Sequence, residues 1–284
     1  MKERIPDALD LLAMAFDGNL VGAVDIAVDE HNFSQRLNLS ERFAGLLLSA
    51  GIHPHYSYKE NESWDSRFAQ IIRQSQHASV LAVGESGLDF YRKRVPQETQ
   101  ESAFRSHLDL AAKSNLPLVV HNRDADDRIL TLIRGSDCRH GVLHCFSSSW
   151  NTAKAALDLG FYISIAGNIT YQSDDELLDA ATRVPIDRLL LETDAPYLSP
   201  QPRRKGANHP GLLGHTLEFL ARLRAVSAEK LAESTAANAK RLFTRPAHAA
   251  CAGRIGRPPV QHSYWAAPDS NQRPRACQAR TLTN

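Results

Sequence analysis

The stretch LLLETDAP, residues 189–196, indicates the fold, because a mostly apolar run ends there in acidic side chains. The run at residues 186–191 is short and largely apolar, which is typical of a parallel strand that is buried on both faces. Glu192 and Asp194 follow directly. In barrels and open sheets of parallel strands, ligands and catalytic groups collect at the C-terminal ends of the strands. The stretch therefore predicts a parallel sheet with acidic groups at a functional edge.

Three further apolar runs each end in a side chain that can bind a metal. They are VLAVG at 80–84 before Glu85, LPLVV at 116–120 before His121, and GVL at 141–143 before His144. Together with Asp194, these strand ends present two carboxylates and two imidazoles, which are ligands for a divalent metal. A lone buried histidine is more often a hydrogen-bonded core residue, but these two repeat the position of the acidic groups. We predict a metal site at one end of the sheet.

The alternation of strand and helix continues along the chain. The predicted strands are residues 21–28, 46–52, 80–84, 116–120, 141–143, 161–166 and 186–191. The predicted helices are residues 5–16, 33–43, 63–75, 99–114, 124–134, 151–159, 174–183, 212–225 and 228–243. This order favours parallel strands with right-handed crossovers, so we predict an α/β fold, a TIM-type (β/α) barrel. The alternative is an open doubly wound sheet, but no glycine-rich phosphate loop follows the first strand.

The two ends of the chain differ from this pattern. Seven strands are visible where a closed barrel usually has eight, and we expect the absent strand to be the first, upstream of Met1. Residues 1–245 would then form an N-terminally incomplete barrel domain. Residues 246–284 contain five Arg, five Pro and eight Ala against one acidic residue. Little apolar periodicity is visible there, so we predict a disordered tail, with a basic arm for nucleic acid as the alternative.

Composition limits the classes of function that the chain can have. The 284 residues are 43% hydrophobic, enough for one large core, and the net charge of +1 gives no overall basic field for nucleic acid. No apolar run approaches the length of a membrane span, and no signal-peptide pattern opens the sequence. The four cysteines have no close spacing. We therefore predict a cytoplasmic protein with free thiols, no membrane association and no obligate protein partner.

Six motifs, taken together, resemble the TatD family of metal-dependent deoxyribonucleases. They are GIHPH at 51–55, GESGLDFYR at 84–92, LPLVVHNRDADD at 116–127, GVLHCFSSS at 141–149, GFYISIAGNITY at 160–171 and LLLETDAPYLSP at 189–200. The resemblance covers roughly residues 5–245. It implies a TIM barrel of the amidohydrolase type that hydrolyses DNA phosphodiester bonds, often from the 3′ end. It also implies Mg²⁺, Mn²⁺ or Zn²⁺ as cofactor, with two ions in an intact family member.

The resemblance assigns a role to each predicted metal ligand. Glu85 resembles the carboxylate that bridges two metals, and His121 and His144 resemble the imidazole ligands of the second. Asp194 resembles the carboxylate that holds a metal and takes a proton from the attacking water, so Glu85 and Asp194 are the predicted catalytic residues. Family members also open with a strand that ends in a His-x-His pair, which has no match here. We therefore expect an N-terminally incomplete chain, and an inactive truncated form is one alternative.

Substrate contacts are predicted for six side chains around the metal site. Arg92 and Arg123 follow two of the strand ends and could present planar guanidinium groups to a phosphodiester. The basic loop at 203–208 resembles a family loop, which assigns substrate contacts to Lys205 and Asn208. His53 and His55 are expected to line the same face and contact phosphate or a base. The other acidic residues of these motifs are interpreted as groups that support the ligands, cap a helix or lie on the surface, and not as ligands; they are Asp89, Asp124, Asp126 and Asp127.

The most favoured function is thus a deoxyribonuclease of the 3′–5′ exonuclease type, with DNA as substrate. The second hypothesis is an amidohydrolase-type enzyme acting on an ester or amide, such as a lactone or an aminoacyl ester. Strand-end ligands suit either reaction. The basic loop at 203–208 favours phosphate, and the carbamylated lysine of many related barrels is not evident.

Overall fold

The computed structural model describes residues 8–18 and 20–245. Seven parallel strands form one sheet in the order in which they occur in the chain. They are β1 Ala23–Asp25, β2 Leu46–Ala50, β3 Val80–Asp89, β4 Leu118–Arg123, β5 Gly141–Leu143, β6 Phe161–Ile165 and β7 Leu189–Leu191. The α/β prediction is confirmed, and each strand lies where the sequence predicted one. The predicted tail, residues 246–284, lies outside the described residues.

Helices lie between the successive strands, before β1 and after β7, and they cover one face of the sheet. They are α1 Ala8–Asp17, α2 Phe33–Arg42, α3 Trp64–Ser75, α4 Gln97–Ser114, α5 Asp126–Arg134, α6 Trp150–Asp158, α7 Asp175–Arg183, α8 Leu213–Leu223 and α9 Ala228–Leu242. Their hydrophobic faces explain the arrangement, since residues such as Phe104, Ile129 and Leu220 pack with Val120 and Ile163 of the sheet in one buried cluster. Each such side chain contributes about 1.5–3 kcal/mol when fully buried.

The opposite face of the sheet forms a second core. It contains side chains from successive strands, including Leu47, Leu81 and Val119, and it is completed by Leu242 and Phe243 at the end of α9. A sheet with apolar side chains on both faces is typical of a parallel barrel wall. This core explains why β3, β4 and β5 have few polar residues before Glu85, His121 and His144.

Two predicted strand boundaries are wrong in a way that affects the site. β3 extends to Asp89, so Glu85 lies within the strand and not after it, and β4 extends past His121 to Arg123. The pairing of β3 with β4 is irregular between Val83 and Ser86, which is the segment that carries Glu85. Apolar periodicity could not show this, because polar residues continue the hydrogen-bonded ladder beyond the apolar run.

Glycines allow β2, β3 and β4 to approach closely beneath these side chains. A Cβ atom on Gly51 would lie 2.4 Å from the backbone of Gly84. A Cβ atom on Gly87 would lie 1.9 Å from the carbonyl oxygen of His121, and Gly87 has a φ of +149°. Only glycine fits such positions. The close approach brings side chains of three neighbouring strands to one point.

The sheet has two edges in the part of the chain that the structure describes, because β1 pairs only with β2 and β7 only with β6. α1 packs against the Pro210–Leu212 turn that follows β7. Its Leu12 also clusters with Phe43 and Leu46 beside β1 and β2. α1 therefore contacts segments next to both edges. Among the described helices, none is both long and apolar enough to cross a membrane.

His107 is a buried neutral histidine whose titration should make stability depend on pH. Its Nε2 accepts the backbone N–H of Ile52 at 3.0 Å, its Nδ1 donates to the carbonyl oxygen of Ala103 at 2.8 Å, and the side chain is fully buried. Burial lowers its pKa from 6.5 to about 4. The unfolded chain therefore binds the proton more tightly, and the stability that neutral His107 contributes above about pH 6.5 is lost as the pH falls toward 4.

Between about pH 7.5 and about pH 5 we expect His107→Gln to reduce this pH dependence by about 2 kcal/mol, because pH 5 lies below the unfolded-state pKa but still above the folded-state pKa of about 4. The measurement is urea unfolding at about pH 7.5 and about pH 5. The wild-type free energy of unfolding should fall more steeply between these values than that of the variant. His31→Gln, which removes an exposed histidine, is the control. Equal losses in wild type and His107→Gln would contradict the assignment.

Candidate metal centre and active site

Two of the four predicted metal ligands, His121 and His144, converge on a carboxylate oxygen of a third, Glu85. Oε1 of Glu85 lies 2.8 Å from Nδ1 of His121 and 2.8 Å from Nε2 of His144. Glu85 comes from β3, His121 from β4, and His144 directly follows β5. The side chains lie 36 and 59 residues apart along the chain, so the parallel sheet is what brings them together.

Each of these histidines also faces a second carboxylate through its other ring nitrogen. Nε2 of His121 lies 3.4 Å from Oδ2 of Asp89. Nδ1 of His144 lies 3.7 Å from Oε1 of Glu192. Metal-binding histidines usually have such a partner, which fixes the tautomer and the orientation of the ring. The arrangement leaves Nδ1 of His121 and Nε2 of His144 directed toward Glu85.

The pKa values at this centre show how strongly the three groups interact. Burial alone would raise the pKa of Glu85, but the charge of His144 and hydrogen bonds from both histidines hold it well below the usual range. Burial alone would lower the pKa of His144, yet Glu85 and Glu192 raise it well above the usual value. The pKa of His121 is raised as well, by Asp89 and Glu85 against the effect of burial.

This donor set fits a divalent metal. The carboxylate of Glu85 remains ionised, and the two imidazoles balance its charge. A metal cation bound at the same point would provide that positive charge instead. A metal would replace the protons that the two ring nitrogens share with Glu85. Carboxylate and imidazole ligands with no thiolate suit Zn²⁺, Mn²⁺ and Mg²⁺ to different degrees.

Asp194, the fourth predicted ligand, lies in the loop after β7 and has a raised pKa. Its backbone is left-handed, with a φ of 53°. Burial raises the pKa of its carboxyl group to about 7, assisted by the nearby negative charges of Glu192 and Glu85, while His144 opposes the shift. A carboxyl group with a pKa near neutrality is suited to proton transfer.

His53 also faces Glu85, with its Nε2 3.5 Å from Oε1. The donor atoms of His53, Glu85 and His121 lie within 4.8 Å of one another. However, Nδ1 of His53 accepts the backbone N–H of His55 at 3.1 Å. A neutral ring that accepts at Nδ1 carries its proton on Nε2, and burial lowers the pKa of His53 to about 3. The structure thus presents His53 as a hydrogen-bond donor, which agrees better with the predicted substrate contact than with a metal ligand.

His55 has a different place from the one that the sequence predicted. Its Nε2 bonds to Oδ2 of Asp89 at 2.8 Å, the same oxygen that faces His121. Asp89 also accepts the backbone N–H of Arg92 and is almost completely buried. His55 therefore helps to fix Asp89 and is not directed at a substrate. Asp89 was expected to be a supporting or surface group, and its contacts with His55 and His121 give it the supporting place. Glu192, which faces His144, is the group that sequence reasoning did not assign.

The remaining predicted substrate residues separate into exposed cations and one buried amide. Arg92, Arg123 and Lys205 are exposed on loops or strand ends at the same edge of the sheet as Glu85. Asn208 is fully buried, and its Nδ2 donates to the carbonyl oxygens of Thr193 and Tyr197 at 2.5 Å each. The predicted substrate contact of Asn208 is therefore wrong for this arrangement. The residue fixes the loop that carries Asp194.

The position of Asp89 leads to a prediction about metal affinity. Replacing Asp89 with Asn keeps the shape of the side chain but removes the charge that orients His121, so the affinity for Mn²⁺ should fall about 10- to 100-fold. Calorimetric titration of the metal-free protein with Mn²⁺ measures this. Asp126→Asn is the matched control, since Asp126 is a partly buried carboxylate that bonds to Asn122, Ser148 and Thr152 instead. An unchanged affinity in Asp89→Asn would refute the role.

The fold and the donor set define a metal-dependent hydrolase of the barrel type. Comparison with known proteins agrees, because a family model described as TatD related DNase matches residues 2–244. The chain belongs to this family. The predicted family resemblance is thereby confirmed.

The relatives cover most of this chain. An uncharacterized metal-dependent hydrolase of Escherichia coli K12, YcfH, is 36% identical over 240 residues, 84% of this chain and 88% of that protein. The 3′–5′ ssDNA/RNA exonuclease TatD of Salmonella typhimurium is 34% identical over 245 residues, 84% of this chain and 93% of the relative. The crystal structure of the TatD homologue YjjV from Escherichia coli K12 aligns with a TM-score of 0.76 at 30% identity, over 85% and 92% of the two chains.

Proposed function

We propose that this metal-dependent hydrolase removes nucleotides from the 3′ end of DNA. The observation that carries the proposal is the convergence of His121 and His144 on Glu85, beside an Asp194 whose pKa is raised to about 7. Hydrolysis of a phosphodiester needs negative charge to be stabilised and a proton to be removed from water. The site supplies groups for both. The name of the Salmonella relative supports a nucleic acid as the substrate.

We assign the binding of Mg²⁺, Mn²⁺ or Zn²⁺ to Glu85, His121, His144 and Asp194, with two ions in the active protein. A bound divalent cation lowers the pKa of water and stabilises negative charge on phosphate oxygens. Asp89 and Glu192 hold the two histidines in orientation through their other ring nitrogens. In this proposal the residues of the site therefore divide into those that bind metal and those that orient the metal ligands.

Proton transfer and phosphate binding belong to other side chains. Asp194 accepts a proton at its carboxylate from the attacking water, because it is buried beside Glu85 and His144, where that water would be held. His53 donates from Nε2 toward a phosphate oxygen, since its Nδ1 is committed to the N–H of His55. Arg123 presents its exposed guanidinium group to the adjacent phosphate.

The ester or amide alternative receives no specific support from the described residues. The cations Arg92, Arg123 and Lys205 are exposed around the site. Exposed cations are suited to a polyanion more than to a neutral lactone. DNA is thus the proposed substrate, and the proposed place of action is the cytoplasm.

Metal removal tests the proposed function directly. We expect the full chain to release nucleotides from single-stranded DNA labelled at its 5′ end when Mg²⁺ or Mn²⁺ is present. Release should stop with excess EDTA and resume when the metal is restored, because the predicted ligands hold an exchangeable ion. A ladder that shortens from the unlabelled 3′ end is the expected pattern. Binding of metal without any hydrolysis of DNA would overturn the proposal.

A further inference from the structure

The exposed aromatic side chains of the described residues lie at one edge of the sheet. Tyr56, Tyr58, Tyr91 and Tyr197 are exposed by 46–64% of their surface. All four are on loops that follow β2, β3 or β7. These loops lie at the C-terminal end of the strands, where Glu85 and Asp194 also lie. A group of exposed aromatic side chains at one place often marks an interaction site, whereas single ones are ordinary. Their position makes this edge an interaction surface.

Tyr91 is held in place by Arg123. The guanidinium carbon of Arg123 lies 4.5 Å from the centre of the Tyr91 ring. Tyr91 follows β3 by two residues, and Arg123 is the last residue of β4, paired in register with Asp89. Since Asp89 faces His121, the Tyr91–Arg123 pair lies immediately beside the metal centre. The pair offers an exposed ring and a cation together.

A second pair of the same kind lies across the site. The guanidinium carbon of Arg204, after β7, lies 4.1 Å from the centre of the Tyr171 ring, after β6. The hydroxyl group of Tyr171 donates to the carbonyl oxygen of Ser199 at 3.0 Å, which fixes the ring. The two pairs thus connect the β3 and β4 loops on one side and the β6 and β7 loops on the other.

Cationic side chains surround the two pairs. They are Arg92, Lys93 and Arg94 next to Tyr91, and Arg203 and Lys205 next to Arg204, all of them exposed. Within the described ranges, no ion pair joins any of these side chains to a carboxylate. Their charge is therefore available to an anionic ligand. A ligand that matches this surface carries both phosphates and flat rings that are free to stack.

We infer that the Tyr91–Arg123 and Tyr171–Arg204 pairs bind unpaired bases and phosphates of a single-stranded nucleic acid. This inference rests on the proposed function and names the groups that recognise the strand. Base stacking on an aromatic ring tolerates any sequence, because every base has a π face. Bases within a duplex are already stacked and paired, so they cannot use these rings. The surface selects for strand ends that are single-stranded or frayed.

Tyr91 allows a sharp test with a conservative variant. The experiment measures fluorescence anisotropy of a labelled, phosphorothioate-linked short single strand, which resists hydrolysis, with the Mn²⁺-loaded full chain. Tyr91→Leu should weaken binding about tenfold or more, whereas Tyr91→Phe, which keeps the ring, should stay within about twofold of wild type. A blunt duplex of the same sequence should bind Tyr91→Leu and wild type equally.

Arg188→Ala is the matched control. Arg188 is exposed and lies over the ring of Tyr162 at 5.2 Å, but it precedes β7 at the opposite end of the strand. Its removal takes away one charge and one Arg–Tyr pair without touching the surface, so binding should not change. Equal binding of the single strand by Tyr91→Leu and wild type would overturn the inference. Equal losses for single strand and duplex would overturn it too, because they would show a purely electrostatic surface.

The outcomes also separate this inference from the proposed function. If wild type binds single strands through Tyr91 but hydrolyses no DNA with any metal, the proposed activity is refuted and the inferred binding surface is supported. If wild type hydrolyses DNA while Tyr91→Leu binds the single strand as tightly as wild type, the inferred binding surface is refuted and the proposed activity is supported.

Discussion

Asp194→Asn should lower kcat for DNA hydrolysis by about 10²- to 10⁴-fold, the range expected when a general base is removed. The wild-type carboxyl group has a pKa of about 7 because it is buried next to Glu192 and Glu85. The amide has nearly the same shape but cannot accept a proton from water. The loss should therefore appear mainly in kcat, with a smaller change in KM. Steady-state release of nucleotides from an end-labelled strand, in Mn²⁺, measures both.

Asp187→Asn is the control for this experiment. Asp187 is an exposed carboxylate that precedes the same strand, β7, so it tests the loss of a charge at the other end. It should retain wild-type turnover. Unfolding in urea should give similar free energies for the two variants. If Asp194→Asn keeps a substantial share of wild-type kcat, Asp194 is not the base and the mechanism must be revised.

Glu85→Gln should abolish metal binding in the measurable range, with at least a 100-fold weaker Mn²⁺ affinity. Loss of a residue that only orients a ligand already weakens affinity about 10- to 100-fold, and Glu85 is the oxygen donor on which His121 and His144 converge. Nucleotide release should be lost with it. Calorimetric titration with Mn²⁺ is the direct measurement.

The same variant should destabilise the metal-free protein. Removal of one partner from a buried ion pair leaves the other charge uncompensated, at a cost of about 3–5 kcal/mol. The side chains of Glu85 and His144 are both about nine-tenths buried, so little solvent screening reduces the effect. Glu98→Gln, which changes an exposed carboxylate on α4, should alter neither property. Wild-type Mn²⁺ affinity in Glu85→Gln would show that the metal is held elsewhere.

The fold was predictable because its signal is local. Runs such as residues 46–48 and 118–120 are apolar at every position, which is typical of a strand covered on both faces, and the helices between the strands show a 3.6-residue period. Each predicted strand and helix is present. What failed were boundaries: β3 continues through Glu85 to Asp89 because polar residues extend its pairing with β4. Hydrogen bonds between strands do not depend on the spacing of apolar residues, so that spacing cannot show how far a strand extends.

For the candidate site, too, the sequence indicated some features and only the structure showed the others. The identities of Glu85, His121, His144 and Asp194 could be found in the sequence, since parallel strands present their C-terminal ends at one edge whatever their exact register. Only the tertiary structure showed that both histidines face a single oxygen of Glu85. Tautomers, pKa shifts and shared partners depend on distances of a few ångströms between residues that are far apart in the chain.

Asp89 and Asn208 show this limit most clearly. In the sequence, Asp89 is one of several acidic residues in loops, and Asn208 is the last residue of a basic segment. The structure places Asp89 between His55 and His121, and it buries Asn208 under the Asp194 loop. The amino-acid sequence by itself determined the barrel wall and the donor types, because periodicity and residue chemistry are properties of the chain. Tertiary packing decided which donor faces which acceptor, because electrostatic interactions depend on distance and burial in the folded molecule.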